Sequence, residues 1–268
     1  MDVTSYLLGK KAGGGSTPVL QDKEVEITQN GETTITADSG YDGLSSVDIT
    51  TNVPSQKYAP RYISFAGYPG SEFDYEIENL DTKNLTLMQQ ILSNCSNLAS
   101  ADISGWDASN VVYASNVFAD CSNLISVNAN NLITSKTQYI TGFFYNCKKL
   151  TNVSVENWDT SGVLNMMEMF RNCEALTTLD ISSFTSTSLT NCSKMFTGCK
   201  NLRHIDMRSF NFTKSGMTTT ELFGFYAQMG DPPNDCEIIV ADATQKAWIN
   251  TNFSRLTNVK TVAEYEGS

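Results

Sequence analysis

"MFRNCEALTTLDISSF", Met169–Phe184, decides the fold, because its apolar positions recur on both sides at a fixed interval. Cys173 has counterparts at Cys95, Cys121, Cys147 and Cys199, all at one constant step along the chain. Leu176 stands in a column with Leu98, Leu124, Leu150 and Leu202, and Phe170 in one with Leu92, Phe118, Phe144 and Phe196. Phe184 aligns with Trp106, Leu132, Trp158 and Phe210. Ile181 aligns with Ile103, Ala129, Val155 and Met207, and Leu179 with Ala101, Val127, Val153 and Ile205. Columns kept in phase at one period between 20 and 50 residues are the mark of a stacked repeat. One period before the first copy, Tyr75, Ile77, Leu80 and Leu85 form a partial rung.

Inside a rung, "LTTLDISSF" turns Leu179 and Ile181 inward and Thr178, Asp180 and Ser182 outward. This period of two predicts a strand with one buried face. The following "TSTSLTNCSKMFTGC", Thr185–Cys199, has helical or turn-like spacing, with Leu189, Cys192 and Phe196 facing inward. One strand and one helical or irregular return per repeat is the leucine-rich-repeat plan. The predicted fold class is α/β: a leucine-rich-repeat solenoid of about six rungs with one parallel sheet, plus a small N-terminal β module. At about 4.8 Å per strand the sheet would run roughly 24 Å.

The repeat explains the cysteines. In a stack, each inward residue meets its own equivalent in the next rung. A thiol is small, usually buried, and able to donate weakly to a backbone carbonyl. Cys95, Cys121, Cys147, Cys173 and Cys199 therefore read as a structural thiol ladder. Parallel Cβ directions disfavour a disulfide between rungs. Ligands a full period apart with no CxxC or paired His match no zinc spacing.

The lattice loosens after Phe210. Leu222 falls on the phenylalanine column, but Phe225 stands in the cysteine column and Gln228 in the leucine column. "GDPPND", Gly230–Asp235, is a turn cluster. A strand-like "CEIIVA" and a helix-like "DATQKAWINTNF" follow, with Asp242 and Gln245 placed as in a capping box. The chain accordingly divides into a leader and linker (1–17), a small β module (18–55), an N-cap and solenoid (56–230) and a C-terminal cap (231–268). The linker reading rests on "KKAGGGST". The module reading rests on alternating stretches around Asn30-Gly31, a hairpin signal.

Composition narrows function. The chain has 268 residues, with 18 basic against 29 acidic side chains and a net charge of -11. That balance argues against nucleic-acid phosphates and anionic membranes as partners. No stretch approaches the run of about 20 apolar residues that spans a bilayer, so no membrane insertion is expected. "MDVTSYLLGKKAGGG" lacks the basic start and apolar run of a secretory signal, and the expectation is a chain made and released inside the cell.

At "MFRNCEALTTLDISSF" the sequence resembles the BspA-like leucine-rich repeats of bacterial surface proteins, in the 26-residue form also seen in mycoplasma lipoproteins. The resemblance covers about residues 72–226. It implies adhesion to host proteins or surface glycans and no catalysis. Two features depart from it: the second rung, "SVNANNLITSKTQYI", is degenerate, and the usual secretion signal is missing. "EVEITQNGETTITADSGYDGLSSVDITTNV" and the N-terminal leader are similar to segments of structural proteins of phages infecting Firmicutes. That resemblance implies a virion protein assembled in the host cytoplasm and exposed on the particle, in a tail, baseplate or head fibre. Its N-terminal segment would contact other virion proteins, and its repeat domain a host glycan or protein. A homo-oligomer is compatible with such a role. A reducing assembly site also suits unoxidised thiols.

Three outward rows offer the best surface. They are Ser100, Ser126, Asn152, Thr178 and His204; Asp102, Asn128, Ser154, Asp180 and Asp206; and Ser104, Asn130, Glu156, Ser182 and Arg208. The candidate ligand-binding residues are Asp102, Asn128, Asn152, Ser154, Thr178, Asp180, His204 and Asp206. No catalytic residue, metal site or cofactor is expected. The lone His204 lacks a nucleophile at a telling spacing, and Asp180 and Asp206 are paired by repetition alone. A bacterial surface adhesin and, less favoured, a polysaccharide-degrading enzyme are the alternative readings.

Overall fold

The computed structural model describes residues 73–76, 82, 85–224 and 231–267. The expected leader, linker and β module, the N-cap before residue 73, and Phe225 and Gln228 lie outside them.

The described residues form short parallel strands that recur with the sequence period, with few helices. In chain order they are β1 (Phe73–Glu76), β2 (Leu98–Asp102), β3 (Ser126–Asn128), β4 (Asn152–Ser154), β5 (Thr178–Asp180), β6 (His204–Asp206), β7 (Glu237–Val240), α1 (Ala243–Asn252), β8 (Val259–Thr261) and α2 (Val262–Glu266). The register follows the same period: Ser100 faces Ser126, Val127 faces Val153, and Leu179 faces Ile205. Such short strands suffice because each contributes one or two side chains to a core that continues through the neighbouring rungs.

The returns are built from turns. Between β2 and β7 no described residue is in an α-helix, so the irregular alternative holds and the helical one does not. Within the return of β2, Ala119 N–H donates to Asn116 O, Cys121 N–H to Phe118 O, and Leu124 N–H to Cys121 O, a chain of tight reversals. Left-handed residues make these reversals possible. Asn94, Asp120, Asn146, Asn172 and Gly198 hold equivalent positions in successive rungs, and all have φ between 58° and 82°. Asn and Asp tolerate that region best after glycine. Gly198 has a second reason: a Cβ there would stand 2.1 Å from Asn172 Oδ1.

The core is a set of stacked columns. Phe118, Phe144, Phe170, Phe196 and Phe223 pile face to face with centroid separations of 5.7, 5.4, 6.0 and 5.4 Å. Trp158 and Phe184 stack at 5.5 Å. Phe223, not Leu222, continues the phenylalanine column. Asn191 pairs with Thr218, one residue beyond the period, so an extra residue enters between Phe212 and Thr218, where Gly216 has φ 79°. That insertion shifts the positions from Thr218 to Phe223 by one.

The single sheet expected from the repeat is in fact two. One has the order β1-β2-β3-β4 and the other β5-β6-β7-β8. The degenerate rung at β3 pairs fully on both sides; the break falls between two regular rungs. On the opposite side of the solenoid a second ladder of single parallel bridges runs unbroken through Leu87, Tyr113, Tyr139, Asn165, Asn191 and Thr218.

The C-terminal segment extends the sheet with β7 and β8 and then covers it. Helix α1 starts at Asp242, whose carboxylate accepts from the N–H groups of Thr244 and Gln245. Gln245 does not complete the capping box. It turns inward, accepting from Phe212 N–H at 2.7 Å. The reciprocal box sits instead on α2, between Thr261 and Glu264. Trp248 of α1 stacks on Phe212 at 5.3 Å, and Phe253 meets Phe223 edge-on at 5.3 Å, closing the open end of the aromatic core.

Candidate functional site

The thiol column has a structural task. Cys121 donates its S–H to Leu92 O at 3.0 Å, Cys147 to Phe118 O at 3.1 Å, Cys173 to Phe144 O at 3.2 Å and Cys199 to Phe170 O at 3.1 Å. Each bond crosses from one rung to the one before it. Phe144 O also accepts from Cys147 N–H, so the carbonyl ties the reversal of its own rung to the next rung. All seven cysteines are buried as thiols. Burial pushes the thiols of Cys192 and Cys236 up to about 12, far from the reactive range. Replacing Cys173 with Ala should cost about 1 kcal/mol, the cavity left by one sulfur, since Phe144 O keeps its N–H donor. Urea denaturation checks this; an unchanged midpoint would show that the ladder contributes nothing.

The outward residues of the strands form the expected polar lattice, but most already have partners. Asp102, Asn128, Asp180 and Asp206 each turn a side-chain oxygen back to the N–H two residues on, at 3.0, 3.4, 2.9 and 3.1 Å. The column closes the turn after β2, β3, β5 and β6, as Asx residues do. Cross-rung bonds link the lattice: Asn128 Nδ2 donates to Asp102 Oδ2 at 3.0 Å, and Ser154 Oγ to Asn130 Oδ1 at 2.7 Å. Partial burial raises the Asp102 carboxyl, but the Ser104 hydroxyl and N–H with the Asn128 amide outweigh it and hold the group below its ordinary value.

The lattice divides at its C-terminal end. Asp102, Asn152, Thr178 and Asp180 are exposed and Asn128 and Ser154 half-buried. His204 and Asp206 are engaged by the cap. His204 Nδ1 lies 2.7 Å from Glu237 Oε2, and its ring packs 5.8 Å from that of Tyr265 on α2. Asp206, only 6% exposed, is held by Arg208, which also reaches Glu266 of α2 at 3.0 Å. The Lys260 ammonium, and after it His204, hold the Glu237 carboxyl below its usual range. The face open to a ligand therefore runs from Asp102 to Asp180 and ends where α2 begins.

Two features escaped the sequence reading. The first is the aromatic pair of exposed Tyr113 and half-buried Tyr139, stacked at 5.0 Å with rings 5° from parallel on the second ladder. Their separation by one period made that pair available to the same column test. The second is the interruption between β4 and β5. It opens a cavity of about 300 Å³ lined by Val153, Ser154, Val155, Glu156, Asp180 and Ser182, among others. Two of the three outward rows meet there, through Ser154 with Asp180 and Glu156 with Ser182.

Among the described residues no three His, Cys, Asp or Glu side chains gather as metal ligands do. None of the described helices is long and apolar enough to cross a membrane. The model of a family described as Mycoplasma protein of unknown function, DUF285, matches residues 65–150 and again 125–230. No curated protein and no solved structure matches the chain.

Proposed function

The chain belongs to the DUF285 family, and from that premise we propose that it is a non-catalytic adhesion protein. Its leucine-rich-repeat-type solenoid presents a polar strand face to a glycan or protein on a bacterial host, and it does so from a phage virion, in a tail, baseplate or head fibre. The observation that carries the adhesion reading is the open lattice of hydroxyl, amide and carboxylate groups from Asp102 to Asp180. It is fixed on short strands whose backs are locked into a continuous core. Preorganised polar groups on a stiff support favour binding, because little side-chain entropy is lost on contact. The virion reading is supported by the resemblance of the N-terminal segment alone.

The family description names mycoplasma proteins, and this favours a second reading, a bacterial surface adhesin. Proteomics of purified phage particles against fractionated cell envelopes separates the two sources. For the shared adhesion claim, the fluorescently labelled full-length chain is expected to decorate bacterial cells and to compete with particle adsorption. A chain that neither binds nor competes would leave it a purely structural role.

A further inference from the structure

We infer that the interruption between β4 and β5 is a binding pocket for one uncharged sugar residue of a surface glycan. This deepens, and rests on, the adhesion reading.

The interruption is local. Ile103, Ala129, Ile181 and Met207 each donate their N–H to a carbonyl of the following rung, at 2.9 to 3.1 Å. Val155, which holds the same position, makes no such bond to β5. Thr151 and Arg203 donate to Ile125 O and Thr177 O of the preceding rungs, whereas Thr177 donates no counterpart to β4. Contact between the two rungs is kept on either side of the gap. Ala175 N–H reaches Lys148 O at 3.1 Å before it, and Thr185 N–H reaches Thr160 Oγ1 at 2.7 Å after it. The core beneath is undisturbed: Phe144 on Phe170 and Trp158 on Phe184 keep centroid separations of 5.4 and 5.5 Å. The strand edges thus part over an intact core.

That geometry selects the occupant. An inserted peptide strand would need about twice the usual 4.7–4.9 Å strand separation, and the aromatic stacks hold the rungs too close for it. An anion would face the carboxylates of Glu156 and Asp180. A polyol suits the walls, which offer the hydroxyls of Ser182 and Ser183, the Ser154 oxygen as an acceptor (its proton goes to Asn130), the carbonyl and second N–H of the Asn157 amide, two carboxylate acceptors, and the apolar edges of Val153 and Val155. Hydroxyl-rich ligands need donors and acceptors interleaved in this way, with an apolar surface for their C–H faces. A volume of about 300 Å³ is at the small end of ligand pockets and takes one ring. The rest of a glycan chain would continue over the open lattice toward Asp102.

The test is a titration of the isotope-labelled full chain with glucose, galactose, rhamnose and N-acetylglucosamine, each alone, followed by amide chemical shifts. At least one sugar should shift residues 153–157 and 180–183 together. Ser182→Phe, which fills the cavity, should weaken that binding about tenfold or more with an unchanged thermal midpoint. If it misfolds, Ser183→Tyr takes its place. Shifts confined to other residues, or none with any of the four sugars, would overturn the pocket. If the chain nevertheless adheres to cells, and Ser182→Phe adheres equally, only the pocket falls. Loss of all adhesion by the wild-type chain overturns the underlying reading as well.

Discussion

Raising the pH above 9 is expected to unfold the solenoid steeply. Burial pushes six thiols above the ordinary value of 9.0: Cys121, Cys147, Cys173, Cys192, Cys199 and Cys236. In the unfolded chain they ionise near 9, while in the folded chain they keep their protons, Cys192 and Cys236 up to about 12. Above pH 9 the unfolded state therefore binds fewer protons, and stability falls as pH rises; below pH 9 this contribution is fully present. Each thiol contributes about 1.4 kcal/mol per pH unit, and six together about 8 kcal/mol per unit. Against a total stability of about 5–15 kcal/mol, the transition should come within about two units of pH 9. Urea midpoints between pH 7 and 11 measure it. Tyrosine and lysine also titrate there, so the decisive quantity is the slope. Cys147→Ala with Cys173→Ala should make it shallower by about a third. A double variant with the wild-type slope would sink the explanation.

Phe170→Ala should be the most damaging single substitution in the repeat. Phe170 is fully buried, with Phe144 stacked on one face at 5.4 Å and Phe196 on the other at 6.0 Å. Removing the ring costs about 3–5 kcal/mol through lost transfer energy and the cavity left behind. Neighbouring rings cannot close in, because each is fixed by the next member of the column. In a solenoid, stability is a chain of nearest-neighbour contacts, so weakening the middle contact should also split unfolding into two transitions. Tyr113→Ala is the comparison. Its stack on Tyr139 is as close, at 5.0 Å, but Tyr113 is 42% exposed, and a loss of about 0.5–1.5 kcal/mol is expected. Calorimetry that finds equal losses for the two variants would show that the phenylalanine column is not the axis of stability.

The repeat was legible because stacking imposes identity. Cys173, Phe170 and Leu176 each meet their own equivalents in space, so a structural constraint appears in the sequence as a period. The register of β2 to β4 and of β5 with β6, the direction of the inward side chains and the thiol ladder all follow from it. The returns were less legible. "FRNCEAL" has apolar spacing that suits a helix or a chain of turns, and the left-handed Asn172 that decides for turns is a backbone preference, not a hydrophobic pattern. Among the candidate residues, Asp102, Asn152, Thr178 and Asp180 are exposed, whereas the fate of His204 and Asp206 depended on α2, a segment far downstream of them in the chain.

By itself the sequence determined the period, the parallel stacking and the burial of the cysteines, since each of these is a relation between residues a fixed distance apart. Only the tertiary structure decided where the stack is imperfect. The extra residue before Thr218, the parting of β4 from β5 and the closure of α2 over His204 and Asp206 depend on how whole rungs settle against one another. No local pattern encodes them, because rungs with the same inward residues can meet with their strand edges bonded or apart while the aromatic core beneath stays the same.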